Sequence, residues 1–290
     1  MNMGSTSFPK VNPDQIGISS YCYRHNFGFN QFKPEKPMTI MDLMYTVKKL
    51  GVNRIQLCEN TGYAEYSDSE LFELKEMANE LGLFIELGMD ELSQENILRH
   101  LEIVKIFSAK FLRVVLRTDS PSPEKDKEDF YNYSIKILKE ILPRFIDMDV
   151  FIGIENHYDL PSNYLVRMVE EIDDKRIGLL FDSTNCLGFI ERPEEVIKAF
   201  GPHLLSIHIK DYIVHKIPGG YRIIGVPLGE GQQDIKGILI SSLQYNPQLS
   251  ILAEMPINSE NKQNASEITE WERTAVKRCT DYLIKTIPSI

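Results

Sequence analysis

The sequence lacks the features that mark membrane, secreted and metal–thiolate proteins. No apolar run reaches the roughly 18 residues that a transmembrane helix needs, so no membrane span is expected. The first ten residues, MNMGSTSFPK, do not combine a basic segment with an apolar one, which argues against a signal peptide. The four cysteines are far apart and form no Cys-x-x-Cys pair. Reduced thiols in a cytoplasmic protein are therefore expected, and a zinc–thiolate or redox motif is not.

Positive charge is also scarce. The chain has 32 Lys and Arg against 42 Asp and Glu, which gives a net charge of −10. Surfaces that bind DNA or RNA need clustered Lys and Arg, so we expect no nucleic-acid partner. With 42% hydrophobic residues in 290, the chain can bury a large core. The composition therefore indicates a globular protein that binds neither nucleic acid nor membrane.

Short apolar runs alternate with longer segments of helical periodicity along the chain. The runs predict eight strands and the periodic segments predict eight helices, each strand being followed by a helix. Thr39 is a plausible N-cap, Ser67 and Glu70 have capping-box spacing, and Pro143 predicts a kink or break in a long helix. The predicted strands are 15–23, 52–59, 83–89, 110–117, 150–155, 177–182, 204–209 and 250–256, and the predicted helices are 39–51, 67–82, 93–109, 122–148, 161–172, 192–201, 234–244 and 266–287.

This alternation predicts an α/β fold with a parallel sheet and crossover helices. Eight units in 290 residues fit a closed (β/α)₈ TIM barrel that forms one domain over residues 1–290, with disorder expected in residues 1–12. An open doubly wound sheet is the alternative, but the stretch SSYCYRHNFG after the first strand contains no GxGxxG turn. The longest irregular stretch, 211–233, has the length of a loop that can act as a lid.

Polar residues follow the predicted strands at the ends where such barrels build their active sites. The rim residues are Glu59, Arg117, Glu155, His157, Asp182, His208, Lys210, Asp211 and Glu254. Several carboxylates and an imidazole at one rim would repel one another without a cation. A site rich in oxygen with one nitrogen suits Mn²⁺ or Mg²⁺, with Co²⁺ or Zn²⁺ as alternatives. The sequence therefore predicts a site for one divalent metal ion.

Five short motifs resemble those of the xylose isomerase-like TIM barrel superfamily, in its sugar phosphate isomerase/epimerase branch. They are GIEN at 153–156, FDSTN at 181–185, SIHIKD at 206–211, GEGQQD at 229–234 and AEM at 253–255. The resemblance implies one divalent ion, with Mn²⁺ as the first choice. The ligands it implies are Glu155, Asp182, His208 and Glu254. It also implies a homo-oligomer, either a dimer or a tetramer.

The resemblance further implies an isomerase or epimerase of carbohydrate metabolism that acts on a small sugar or sugar-derived substrate. A chelated ion polarises a carbonyl, and an acid–base pair then moves a proton through an enediolate. By resemblance, Glu155 and Glu254 form that pair. His157 lies two residues past Glu155 on an extended strand, and Lys210 shares a face with His208. The expected catalytic residues are Glu155, Glu254, His157 and Lys210, and the expected substrate-binding residues are Glu59, Arg117 and Asn185.

Two positions depart from the pattern of ketohexose 3-epimerases, which tend to have a histidine at the place of Asn185 and an arginine at that of Val214. The main alternative is a lyase, dehydratase or decarboxylase that acts on an oxo-sugar, such as an inosose, a 3-oxo-glycoside or a 3-oxo sugar acid. An endonuclease IV-like phosphodiesterase is a remote alternative, because it needs three zinc ions and more histidines than the six present. A sugar-binding barrel without activity would not need an acid–base pair around a metal.

Some rim residues also have a purely structural interpretation. Arg117 could neutralise a neighbouring acid, and Lys210 could pair with Asp211. The GEG stretch at 229–231 predicts a tight loop, and it has no phosphate role because the P-loop Lys-Ser/Thr is absent.

Overall fold

The structure is a computed structural model that describes residues 11–118, 122–255, 262 and 264–287. Residues 1–10, most of the segment expected to be disordered, lie outside the described residues. The side chain of Asn12 caps a short 3₁₀ helix at Pro13–Gln15. Pro256, the last residue of the predicted eighth strand, also lies outside the described residues.

Eight parallel strands close into a barrel, which confirms the predicted (β/α)₈ fold. The strands of the described chain are β1 Ile16–Ser19, β2 Arg54–Leu57, β3 Phe84–Met89, β4 Phe111–Val114, β5 Phe151–Glu155, β6 Ile177–Asp182, β7 Leu204–Ile209, β8 Asp211–Ile217, β9 Gly220–Val226 and β10 Ser250–Ala253. Their order around the barrel is β1-β10-β7-β6-β5-β4-β3-β2, and β8 and β9 form a separate antiparallel pair. β5, β6, β7 and β10 are therefore successive neighbours, which brings their carboxyl ends to one part of the rim.

Helices surround the barrel. They are α1 Arg24–Phe27, α2 Ile40–Leu50, α3 Asp68–Leu81, α4 Gln94–Phe107, α5 Lys127–Met148, α6 Ser162–Ile172, α7 Pro193–Phe200, α8 Ile235–Tyr245 and α9 Ala265–Thr286. Capping boxes at Thr39 and Ser67 confirm the predicted starts of α2 and α3. α5 continues through Pro143 to Met148, so the break predicted there is wrong. Within the described ranges, no helix is both long enough and apolar enough to cross a bilayer.

Two regions differ from the sequence-based expectation. Ser20–Tyr23 form a 3₁₀ helix and do not extend β1, because the Ser19 side chain caps that helix by accepting the backbone N–H of Tyr21. The stretch 211–233, predicted to be irregular, contains the hairpin β8–β9. Gly219 at the hairpin turn has φ of +79°, a conformation that glycine adopts readily. The paired glycines between two β-branched runs are the signal that could have identified this hairpin.

Asp211 anchors the segment that follows β9. Its carboxylate accepts backbone N–H groups from Gly229 at 3.0 Å, Gly231 at 2.9 Å and Gln233 at 3.1 Å. A Cβ at Gly231 would lie 2.1 Å from Asp211 Oδ1, so glycine is required there. The GEG stretch is thus a tight loop wrapped around a buried carboxylate, and Asp211 serves that loop.

Gly17 marks a close approach between β1 and β2. A Cβ at this position would lie 2.3 Å from the backbone oxygen of Arg54, which the barrel holds in place. We expect Gly17→Ala to lower the free energy of unfolding by about 1–3 kcal/mol, the usual cost of overpacking. Urea denaturation measures this change.

Gly220→Ala is the matched control, because no atom lies within 4 Å of the Cβ it would add. Its effect should stay below about 0.5 kcal/mol. Equal stability of Gly17→Ala and the unsubstituted protein would contradict the packing interpretation.

Candidate metal centre and active site

Four side chains from successive strands meet at the carboxyl end of the barrel. Glu155 ends β5, Asp182 ends β6, His208 lies near the end of β7, and Glu254 directly follows β10. All four are buried, and one ligand atom from each lies within 4.8 Å of the others. The residues that the sequence predicted as metal ligands are therefore brought together as one group that could hold a divalent ion.

The His208 ring is oriented towards the carboxylates by a hydrogen bond on its far side. Its Nε2 lies 3.0 Å from the amide oxygen Oε1 of Gln56, so Nε2 is the donor. Its Nδ1 lies 3.1 Å from Glu254 Oε2, 3.8 Å from Glu155 Oε2 and 3.9 Å from Asp182 Oδ2. Neither His208 Nδ1 nor Glu254 Oε2 makes a hydrogen bond with any residue that the structure describes.

Buried polar atoms normally have a bonding partner, so we expect one for His208 Nδ1 and Glu254 Oε2. A cation satisfies both, because a neutral imidazole nitrogen and a carboxylate oxygen are electron-pair donors. Three carboxylates and one imidazole match Mn²⁺, Mg²⁺ and related divalent ions. The residues present therefore fit the ion that the sequence predicted.

Asp182 divides its two oxygens between the loop and the site. Oδ1 accepts the backbone N–H groups of Thr184 and Asn185, both at 2.9 Å. Asn156 holds the backbone of Asp182 from the other side, through its side-chain oxygen at 2.7 Å and its amide nitrogen at 3.0 Å. Oδ2 is therefore directed at the other three clustered side chains.

Glu155 is held by two donors. Arg113 Nε donates to its Oε2, and Asn185 Nδ2 donates to its Oε1 at 2.9 Å. Burial raises the pKa of Glu155, but nearby positive charge, that of Arg113 foremost, outweighs burial, so the pKa lies below its ordinary value. Both carboxylate oxygens thus accept a hydrogen bond from a side chain that fixes their position.

Lys210 adds a positive charge to the same site. Its Nζ lies 2.6 Å from Asp182 Oδ2 and 3.0 Å from Glu254 Oε1. Burial lowers the pKa of Lys210, but the carboxylates outweigh burial and hold it well above its ordinary value. Lys210 therefore stays protonated, and its partners are two predicted metal ligands, so the pairing with Asp211 considered from the sequence is wrong.

The pKa values of two further ligands shift in opposite directions. Burial raises the pKa of Asp182, and the nearby Glu155 and Glu254 raise it further. Burial also raises the pKa of Glu254, but nearby positive charge, that of Lys210 foremost, outweighs burial and lowers the pKa well below its usual range. Three carboxylates share this small volume at an energetic cost that a divalent cation would relieve.

A cavity of about 400 Å³ is lined by two of the four clustered residues, Glu155 and Glu254. Its volume is that of a site for a small molecule. The other residues predicted from the sequence all line it, namely Glu59, Arg117, His157, Asn185 and Lys210. Their presence in one cavity is consistent with the predicted site, while their separate roles remain proposals.

The rim residues have distinct surroundings. His157 is partly buried, and its Nδ1 lies 3.5 Å from Asp159 Oδ2. It follows the end of β5, so a loop, and not strand alternation, places it at the cavity. Arg117 is half exposed and pairs with Asp90 at 3.0 Å, so it does neutralise a neighbouring acid at the mouth of the cavity.

Glu59 is a partly buried residue of the cavity wall. It accepts a hydrogen bond from the hydroxyl of Tyr21 and lies 3.3 Å from Arg113 Nη1. Burial raises the pKa of Glu59, and Arg113 only partly offsets that effect. Glu59 therefore links the cavity wall to the arginine that holds Glu155.

Arg113 is the residue of the site that the sequence-based prediction missed. The fourth predicted strand extended to Arg117, but β4 ends at Val114, so Arg113 lies inside the barrel and Arg117 on a loop. Arg113 is 3% exposed and bridges Glu155 and Glu59. A cation inside the apolar run KFLRVVLR was the available signal, because a buried charge requires a partner.

Comparisons with known proteins agree with this geometry. The sequence profile of the family described as xylose isomerase-like TIM barrel matches residues 44–275. The chain is 25% identical over 221 residues to 3-oxo-isoapionate decarboxylase from Pectobacterium atrosepticum. The aligned region covers 76% of this chain and 77% of that protein.

Two solved structures share the fold. A D-psicose 3-epimerase crystallised in the presence of D-fructose has a TM-score of 0.71 at 16% identity and covers 94% of this chain and 99% of its own. A xylose isomerase-like TIM barrel protein from Mycobacterium smegmatis in complex with magnesium has a TM-score of 0.65 at 17% identity. The match covers 98% of this chain and 100% of that chain. Because the family profile spans most of the sequence, the chain belongs to the xylose isomerase-like TIM barrel family.

Proposed function

We propose that the protein is a divalent-metal-dependent lyase that removes the carboxyl group of a small oxo sugar acid as CO₂. The observation that carries the proposal is the buried ammonium of Lys210, 2.6 Å and 3.0 Å from two of the four clustered ligands. It places a fixed positive charge where a substrate carboxylate or oxyanion would meet the ion. The similarity to a 3-oxo-isoapionate decarboxylase supports the same reaction class.

Glu155, Asp182, His208 and Glu254 would hold the ion, and Mn²⁺ is the ion we propose, with Mg²⁺, Co²⁺ or Zn²⁺ as alternatives. When bound, such an ion polarises an oxo group and stabilises the negative charge that develops beside it. Arg113 and Asn185 keep Glu155 in place for this role through their hydrogen bonds.

The remaining side chains then account for the reaction. The bond between the carboxylate and the carbon next to the oxo group breaks, its electron pair stays on the substrate, and CO₂ leaves. Lys210 stabilises the resulting negative oxygen. His157, on the cavity wall, supplies the proton that the carbon takes up, so charge and atoms balance.

Decarboxylation agrees better with the surroundings of the two glutamates than proton exchange does. Epimerisation by two bases needs two carboxylates that can each accept a proton. Glu155 is held by Arg113 and Asn185, and Glu254 is held by Lys210, so each carboxylate already has a hydrogen-bond donor or cation against it. Decarboxylation needs no base, because the departing CO₂ leaves the electron pair behind.

An isomerase or epimerase is the second candidate. The observation that favours it is the similarity in fold to D-psicose 3-epimerase over nearly the whole of both chains. Val214 stands where ketohexose 3-epimerases tend to have an arginine. Its side chain is exposed on β8 and does not line the cavity, so this difference leaves the cavity wall unchanged. Both candidates use the same ion and develop the same charge on the substrate.

Proton-exchange NMR distinguishes the candidates. The Mg²⁺-loaded protein is incubated in D₂O with 3-oxo sugar acids, free ketoses, sugar phosphates, inososes and 3-oxo-glycosides. We expect CO₂ release from an oxo acid and deuterium on the carbon that carried the carboxylate. Deuterium next to the carbonyl with a new epimer, and no CO₂, would establish the isomerase. Confirmed metal binding without turnover of any of these compounds would contradict the proposal and favour a binding role.

Asp182→Asn tests the metal centre. The amide oxygen can still accept the N–H groups of Thr184 and Asn185, so the loop should remain in place. Replacing a residue that only orients a metal ligand typically lowers metal affinity roughly 10- to 100-fold. We expect a larger loss here, because Asp182 itself is a proposed ligand. Metal content after gel filtration and competition with a chelating dye measure the loss. Asp90→Asn at the mouth of the cavity is the control, and undiminished stoichiometric metal in Asp182→Asn would rule out the four-ligand site.

Lys210→Met separates catalysis from metal binding. Metal affinity should be unchanged or higher, because the ammonium no longer competes for Asp182 and Glu254. Turnover should fall by about 10²–10³-fold, as for the loss of one oxyanion-stabilising donor. Steady-state kinetics and metal titration measure the two effects. The exposed Lys216 supplies the control Lys216→Met, and full turnover in Lys210→Met would remove Lys210 from the mechanism.

His157→Ala tests the proposed proton donor. We expect metal binding to be retained and turnover to fall at least about tenfold, which corresponds to about 1.4 kcal/mol. Kinetics at saturating metal measure the change. His215→Ala, on the exposed hairpin, should have no effect. Unchanged turnover in His157→Ala would make His157 a bystander at the cavity wall.

A further inference from the structure

A chain of polar side chains crosses the barrel interior behind His208. His208 Nε2 contacts Gln56 Oε1 at 3.0 Å, Gln56 Nε2 donates to Glu86 Oε2 at 3.1 Å, and Arg54 Nη1 lies 2.7 Å from Glu86 Oε1. Gln56 lies on β2 and Glu86 on β3, whereas His208 lies on β7. β2 and β7 are not neighbours, so the contact between Gln56 and His208 passes through the centre of the barrel.

Filling the barrel interior with this row of polar side chains costs more free energy than apolar packing would. Barrel interiors are filled mainly by branched apolar side chains. Gln56 is fully buried and Glu86 is 2% exposed, and a buried carboxylate costs free energy unless it is paired. Arg54 supplies that pairing, and its Nε donates to the backbone oxygen of Asp14 at 2.8 Å. The interior therefore contains a complete polar connection from Arg54 to His208 in place of apolar packing.

The direction of each hydrogen bond is set by Glu86. A carboxylate only accepts, so the amide nitrogen of Gln56 must face Glu86. The amide oxygen of Gln56 then faces His208, and the hydrogen of the ring is held on Nε2. Nδ1 is left as an electron-pair donor towards Glu155, Asp182 and Glu254.

We propose that Gln56 and Glu86 are positioning residues for the ligand His208, and that they set the affinity of the metal ion from inside the barrel. The inference rests on the proposed metal-dependent function. Glu86 orients Gln56, Gln56 orients the imidazole, and Arg54 keeps Glu86 paired. Neither Gln56 nor Glu86 lines the cavity, so direct contact with the substrate is not part of this role.

Gln56→Met removes the acceptor at similar side-chain volume. We expect affinity for Zn²⁺, measured by competition with a chelating dye, to fall about 10- to 100-fold, the range for residues that orient a metal ligand. The double substitution Gln56→Glu with Glu86→Gln exchanges the amide and the carboxylate. A side-chain oxygen at position 56 can still accept from His208 Nε2, and the amide at position 86 can donate to position 56. This double substitution should restore affinity to within a few-fold of the unsubstituted protein, which a role in packing alone would not predict.

Ser206→Ala is the matched control. Ser206 lies two residues before His208 on β7, is fully buried, and bonds Ser250 Oγ at 2.7 Å. The substitution Ser206→Ala removes a buried hydrogen bond made by β7 and leaves the hydrogen bonds among His208, Gln56, Glu86 and Arg54 in place. We expect lower stability and unchanged Zn²⁺ affinity.

NMR of the Zn²⁺-loaded, unsubstituted protein tests the inference without any variant. The Nε2 proton of His208 should give a slowly exchanging resonance, because Gln56 binds it in the interior. A ring proton on Nδ1, or Zn²⁺ affinity in folded Gln56→Met equal to that of the unsubstituted protein, would overturn the inference. Absence of Zn²⁺ and Mn²⁺ binding in the unsubstituted protein would instead overturn the proposed function, so the two failures are distinguishable.

Discussion

The convergence of three buried carboxylates on one imidazole is the electrostatic constraint on which the rest of the site depends. Like charges this close repel, and burial removes the water that would screen them. The protein answers with two fixed cations, Arg113 against Glu155 and Lys210 between Asp182 and Glu254. Hydrogen bonds from the loops and from the barrel interior then orient the ligand atoms. A divalent ion would complete this balance, and the four clustered residues could hold one.

The closed barrel makes this convergence possible. Four neighbouring strands end at the same part of the rim, so residues far apart in sequence contribute one ligand each. The loops after those strands perform different tasks. The loop after β6 fixes Asp182, whereas the segment after β9 wraps around Asp211 and closes the base of the hairpin. Strands therefore carry three of the four clustered residues, Glu254 directly follows the fourth strand, and the loops carry residues expected to select the substrate.

The two cations also bear on the reaction. Members of one fold family can share a metal centre and differ in the chemical step that comes after charge first develops on the substrate. Here both glutamates are engaged by cations. In the proposed reaction, Lys210 would stabilise the anion that forms on the substrate. The proposed lyase activity is therefore compatible with the similarity in fold to a D-psicose 3-epimerase.

Much of this protein could be predicted from sequence, for local reasons. Strand and helix periodicity, the caps at Thr39 and Ser67, and the motifs around Glu155, Asp182, His208 and Glu254 are properties of short segments. Contacts between distant segments could not be predicted. The exact end of β4 decided that Arg113, and not Arg117, enters the barrel, and closure of the barrel decided that Lys210 meets Asp182 and that Gln56 reaches His208. The sequence by itself determined the fold class and the four residues that could hold a metal ion, because those depend on residue type and spacing. The tertiary structure alone decided which cations and amides hold the ligands, because pairing across a barrel depends on where each strand ends and which side chains share its interior.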